Sequence, residues 1–209
     1  MPDELSRAVI WTSLWNLTRD GEWPVRSYLD TVLNHAPAES NPTLLTTAFA
    51  NARYAIDHFV SKGVREEIRA DYAERLWEVL QQAPAGSDAQ LTFARAAIQA
   101  LAATPEESGT QRLRALYDGS LDGLALDPDI RWASLRALAA RDAVSTEELE
   151  AEKEHDNTLT GAAAYLGASH AFPSAEVKRE VFDLVRTPGK YSNACLLYTS
   201  PSPRDKRQS

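Results

Sequence analysis

Apolar residues recur at helical spacing along almost the whole chain, and no stretch alternates as a half-buried strand must. The periodic stretches are separated by short breaks built from helix-starting and helix-stopping residues. Asp20-Gly21, Asn41-Pro42, Ser87-Asp88, Asp127-Pro128 and Pro173-Ser174 are the clearest. A chain with this pattern is expected to be all-α.

The breaks and stripes place ten helices. The first is expected over about 4–18, with Asp3 as its N-cap and Leu5, Ala8, Val9, Thr12, Leu14 and Trp15 on a broad apolar face. The second begins at Pro24, whose missing N–H costs nothing in a first turn, and carries Val25, Tyr28, Leu29, Val32 and Leu33. Asn41-Pro42 opens the third, with Leu44, Leu45, Ala48, Ala52, Ile56 and Phe59 inward, and Gly63 separates it from the fourth (Ile68, Tyr72, Leu76, Val79, Leu80). Ser87-Asp88 starts the fifth (Leu91, Ala94, Ile98, Leu101), Pro105 breaks it, and a short sixth covers about 110–117. Asp127-Pro128 starts the seventh, with Ile130, Leu135, Leu138 and Ala139. Ser145 and Glu148 make a capping box for the eighth, the ninth spans about 159–171, and Pro173-Ser174 leads into the tenth (Val177, Val181, Phe182, Val185).

The odd-numbered helices start near residues 4, 42, 87, 128 and 158, at spacings of 38, 45, 41 and 30. Those spacings bracket the ~40–47 residues of a HEAT or armadillo unit. The expected architecture is an irregular HEAT/armadillo-like α-solenoid of antiparallel helix pairs, each burying its stripe against its neighbours.

Composition narrows the function classes. A net charge of −8 opposes binding to a phosphate backbone, so no nucleic-acid partner is expected. The apolar runs fall short of the ~20 residues a membrane span needs, and no basic segment precedes an apolar one near the start. No membrane partner and a cytoplasmic location are therefore expected. The single cysteine, Cys195, allows no internal disulfide.

Residues 195–209, CLLYTSPSPRDKRQS, differ from everything before them: two Ser-Pro steps, a basic cluster and no helical period. The string resembles translated read-through of a sequencing adapter; a natural disordered basic tail has the same composition. The expected division is a helical domain over 1–194 and a disordered tail over 195–209.

Catalytic signatures are missing from the sequence. H-E-x-x-H, which sets two zinc-binding histidines one turn apart around a general base, does not occur, and none of His35, His58, His155 and His170 has another histidine within four positions. Glu152, His155 and Asp156 lie close in sequence but read better as a solvated helix end, where a histidine suits the dipole. The acidic run Glu147, Glu148, Glu150, Glu152 and Glu154 reads as a hydrated face. There is no Gly-rich phosphate loop and no G-x-S-x-G elbow, and Ser13 or Ser134 has no base that the sequence can place beside it. No catalytic and no metal-binding residue is expected. Trp11, Trp15, Trp23, Trp77 and Trp132 sit at helical spacing, where core packing is the commoner role. Arg131 and Trp132 are the candidate substrate-contacting pair; the competing reading makes Trp132 core and gives Arg131 a carbonyl or carboxylate partner.

Four segments carry a family resemblance: residues 5–22 (LSRAVIWTSLWNLTRDGE), Gly86-Ser87-Asp88-Ala89-Gln90-Leu91, Asp127-Pro128-Asp129-Ile130-Arg131-Trp132 and Lys190-Tyr191-Ser192-Asn193-Ala194. In order and at suitable distances, they resemble the C-terminal helical domain of the aminopeptidase N family, the gluzincin zinc aminopeptidases, and most closely the actinobacterial type. The resemblance implies a parent enzyme that removes N-terminal residues from peptides with zinc-activated water, and a helical domain that closes over its active site. It implies zinc in the parent and none in this chain, with peptide substrates and the parent's catalytic domain as partners. The family's H-E-x-x-H and G-A-M-E-N strings do not occur here, so no catalytic role can be carried over. By the family's pattern the chain is truncated at both ends. The alternative from a different class is a free-standing helical repeat scaffold that binds a protein partner.

Overall fold

The computed structural model describes residues 3–104 and 107–186. Pro105, the segment 190–194 and the tail 195–209 lie outside them. The described residues form ten α-helices and no strand: α1 (Glu4–Arg19), α2 (Val25–His35), α3 (Pro42–Phe59), α4 (Lys62–Gln82), α5 (Asp88–Ala102), α6 (Glu107–Asp118), α7 (Pro128–Ala139), α8 (Thr146–His155), α9 (Leu159–Ser169) and α10 (Ala175–Arg186). A short 3-10 turn, Ala36–Ala38, follows α2. The all-α class is as expected. Among the described residues no helix is long and apolar enough to cross a membrane.

The helix starts follow local chemistry. Asp3, Asn41, Ser87, Asp127, Ser145 and Thr158 each accept a backbone N–H of the first turn through the side chain, satisfying donors that have no partner inside the helix. At α8 the box is reciprocal, because Glu148 also accepts the Ser145 N–H at 2.9 Å. Pro24 sits one place earlier than expected. Its ψ of 139° is extended, so it caps α2 and the first helical residue is Val25. Gly63 lies inside the first turn of α4 rather than between helices, with Ser61 as the cap.

The chain divides into two units at Leu126 and Asp127. In the first, α1 packs on α2 and α3, α2 on α3 and α4, α3 on α4 and α5, α4 on α5, and α5 on α6. Each helix thus meets the next and, through most of the unit, the next but one. The core is Tyr28, Leu29 and Val32 of α2, Leu45, Phe49, Ala52 and Ile56 of α3, Tyr72, Leu76 and Leu80 of α4, Phe93, Ala97 and Leu101 of α5, and Leu113 and Leu116 of α6. In the second unit α7 and α8 both pack on α9, around Ile130, Leu135, Leu138, Leu149 and Ala168.

Three expected apolar faces differ. On α1 the inward residues are Arg7, Ala8, Trp11, Leu14, Trp15 and Thr18, while Leu5 and Val9 are exposed. The helix is apolar on several sides, so periodicity alone could not choose the face that packs. On α3 Phe59 is exposed but stacks on Trp15, with ring centres 5.9 Å apart. On α10 only Val181 is buried, and Phe182 and Val185 face outward.

Candidate functional site

The two candidate residues sit in the second unit and turn inward. Asp127 caps α7, placing Arg131 and Trp132 in its first turns. Trp132 is only 5% exposed, and its Nε1 donates to Asp156 Oδ2 at 2.8 Å. Its ring meets Tyr165 of α9 edge-on at 6.5 Å, and Lys153 of α8 lies over the same tyrosine at 4.5 Å. Arg131 Nε donates to Glu152 Oε1 at 2.6 Å, and Nη2 donates to Oε2 of the same carboxylate. Glu152 is 2% exposed. The pair is therefore a two-pronged ion pair joining α7 to α8, desolvated on its carboxylate side.

The Asp156 carboxylate is held at both oxygens, Oδ2 by Trp132 and Oδ1 by Thr158. Thr158 Oγ1 donates to its Oδ1 at 2.7 Å and in turn accepts the Gly161 N–H at 2.9 Å, closing the start of α9. The hydrogen bonds from Thr158 and Trp132 hold the Asp156 carboxyl below the usual carboxylate range. Glu152 and Asp156 thus each have a partner inside the protein, while His155 is exposed at the end of α8. No group of three or more His, Cys, Asp or Glu side chains suited to a metal ion occurs among the described residues. Ser134 is fully buried in α7.

The acidic run on α8 divides accordingly. Glu147, Glu150 and Glu154 are exposed, Glu148 closes the capping box, and Glu152 belongs to the interior. Nothing local in the sequence marks Glu152 as different, because its partner is 21 residues away.

A second buried carboxylate, which sequence reasoning missed, ties α1 to the connection between α2 and α3. Glu39 is 5% exposed. It accepts Arg7 Nε at 3.0 and 3.1 Å, Trp11 Nε1 at 3.3 Å and the Asn41 N–H at 2.9 Å. Beside it lies a groove of about 260 Å³, walled by Ile10, Trp11 and Leu14 of α1 and by Thr31 and His35 of α2. One turn further on, Trp15 packs among Tyr28, Tyr54 and Phe59 at 5.8–5.9 Å. The tryptophans of the opening helix are packing residues, one fixed by a hydrogen bond and the other by rings.

Burial alone would raise the Glu39 pKa, but the bonds from Arg7, Asn41 and Trp11 outweigh it and the carboxyl stays below its ordinary value of 4.5. A depressed carboxyl stabilises the fold above the unfolded-state pKa, and that contribution is lost as pH falls through the folded-state value. Glu39→Gln is expected to cost about 2 kcal/mol at neutral pH, the range for a hydrogen bond to a charged group. The difference from the parent chain should shrink below pH 4.5 as Glu39 itself protonates. Urea titrations at neutral and acid pH measure it; a difference that does not change with pH would contradict the assignment.

Residues 1–199 match the ERAP1-like C-terminal domain family. Over 194 residues the chain is 36% identical to a protein of Streptomyces lividans named Aminopeptidase N. That match covers 92% of this chain and 22% of the relative, so the chain spans about a fifth of the length of the protein it resembles.

Proposed function

The chain belongs to the ERAP1-like C-terminal domain family, and from that premise we propose that it is the helical cap of a zinc aminopeptidase. The observation that carries the reading is the 36% identity to Aminopeptidase N across nearly all of this chain. The parent would remove N-terminal residues from peptides, with zinc and the general base supplied by the part of the parent outside this chain. The helical domain would close over the substrate channel, stack its helix pairs as a HEAT-like solenoid, and contribute no catalytic group. A cytoplasmic location goes with this reading.

Two features of the fold support a cap rather than a reaction centre. The candidate channel pair is committed to structure: Trp132 to Asp156 and Arg131 to Glu152. What Arg131 can offer a substrate is the 23% of its side chain left exposed, so the pair would shape a channel wall mainly by fixing α7 against α8. The exposed apolar residues Leu5 and Val9 of α1 suit a seat on the parent's catalytic part, since an apolar flank is stabilised by cover.

The experiment has two arms. The 209-residue chain, supplied with zinc and an aminoacyl chromogenic substrate, is expected to show no turnover; sustained zinc-dependent turnover would overturn the reading. In a full-length relative, deleting the matching helical domain should change the ratio of kcat/KM for long and short peptides. An unchanged ratio in a folded, active deletion would remove the cap.

A further inference from the structure

The first unit has two chemically different sides. Its odd-numbered helices pack in a row, α1 on α3 and α3 on α5, and α2 packs on α4 beside them. Charge is unevenly shared between the rows. In α1 and α3 together the Asp, Glu, Lys and Arg residues are Glu4, Arg7, Arg19, Arg53 and Asp57, and residues 8–18 carry none. α4 alone carries nine.

On the even-numbered side the charges link one helix to the next. Arg26 of α2 pairs with Glu67 of α4 at 3.1 Å, Asp30 of α2 with Arg75 of α4 at 2.5 Å, and Glu74 of α4 with Arg112 of α6 at 2.7 Å. Glu67, Asp30 and Glu74 are all exposed. Covering such pairs with an apolar surface strips hydration that their mutual attraction does not fully return.

On α1 and α3 the balance is reversed. Among the described residues of the first unit, the exposed large apolar side chains of these two helices are Leu5, Val9, Ile10, Leu17, Tyr54 and Phe59, and only Val64 and Leu126 lie elsewhere. Thr18 is the one buried residue of α1, while Leu5 and Val9 are 75% and 56% exposed. Tyr54 and Phe59 carry the patch across the seam, since each lies 5.9 Å from Trp15 of α1, ring centre to ring centre. A contiguous apolar patch marks a contact surface, and the centre of an interface is depleted of charge.

Resting on the reading that this chain is one part of a longer aminopeptidase, we propose that the α1–α3 side of the first unit is its seat against the rest of that polypeptide, and that the ion-paired α2, α4 and α6 face solvent. The occupant is an apolar surface of the parent outside the helical domain. The aligned relative shows how much chain there is to supply it: the match takes up 22% of that protein, which leaves about four-fifths of its length. A surface on the same polypeptide meets this one at a high effective concentration, so it takes the seat ahead of a second copy.

The test has two parts. In the 209-residue chain, Leu5→Glu with Val9→Glu should lower the fluorescence of a bound hydrophobic dye and leave Tm within about 2 °C, because surface changes seldom exceed ~0.5 kcal/mol. A fall in Tm of more than about 5 °C would show that these residues are already packed, and would overturn the proposal. In the full-length Streptomyces lividans relative, a benzophenone amino acid at the position matching Val9 or Tyr54 should cross-link to residues of the same polypeptide outside the helical domain. At the position matching Glu67 it should give none. Cross-links that join two copies, as read from mixed isotope-labelled and unlabelled protein, would overturn the assignment of the occupant. No cross-link from Val9 and Tyr54, or one from Glu67 instead, would overturn the face. Zinc-dependent aminopeptidase activity of the same preparations tests the parent reading separately, so either can fail without the other.

Discussion

Arg131→Met is expected to destabilise the second unit by about 3–5 kcal/mol, the cost of stripping one partner from a buried ion pair. The size follows from burial. Glu152 is 2% exposed, so its carboxylate cannot recover hydration when the guanidinium is removed. The reverse change should cost less, because Arg131 keeps 23% of its side chain in solvent and can turn outward after Glu152→Leu. The double variant Arg131→Met, Glu152→Leu should recover most of the loss, since an apolar pair of similar volume replaces the charges. Urea denaturation of the four proteins gives the coupling energy. Equal losses in the two single variants, or a double variant that simply adds them, would show that the pair is not the unit described, desolvated on its carboxylate side.

The second large effect is expected at Gly161, and it comes with an internal control. A Cβ there would lie 2.6 Å from the Asp156 carboxyl group and closer still to the Asp156 backbone oxygen. The obstacle is main chain, not the far end of a flexible side chain. Relief requires moving the segment that holds the Trp132 indole and the Thr158 cap. Gly161→Ala is expected to cost about 3 kcal/mol, the upper part of the overpacking range. Gly167 lies in the same helix with nothing within 4 Å of an added Cβ. Gly167→Ala should therefore stabilise by up to about 1 kcal/mol, the helix-propensity difference. Thermal or urea melts of the two variants should move in opposite directions; both moving the same way would contradict the packing at α9.

The legible part of this protein was what short-range chemistry determines. Ser145 with Glu148, Asn41 with Pro42, and Asp127 with Pro128 each state a helix start within four residues, and each start was found there. The stripes of α2 and α4 were legible for the same reason, because one face of each is clearly apolar. What could not be read is set by partners distant in sequence. Glu39 meets Arg7 across 32 residues and Glu152 meets Arg131 across 21; neither glutamate differs locally from a surface one. Leu5, Val9 and Phe182 look like core residues in any window, yet their exposure depends on which neighbours lie against them. Gly161 and Gly167 are equivalent as letters, and only the path of residue 156 separates them.

The division at residue 127 has a spectroscopic consequence. Of the five tryptophans, Trp11, Trp15, Trp23 and Trp77 precede it, and Trp132 alone follows it. The difference in emission between the parent chain and Trp132→Phe therefore isolates a single indole, one that is shielded from water and bonded to a carboxylate. Its red shift on loosening dates the opening of the second unit, while the remaining four indoles keep time for the first. One fluorimeter trace in each protein is enough to ask whether the halves of this chain come apart together or in turn.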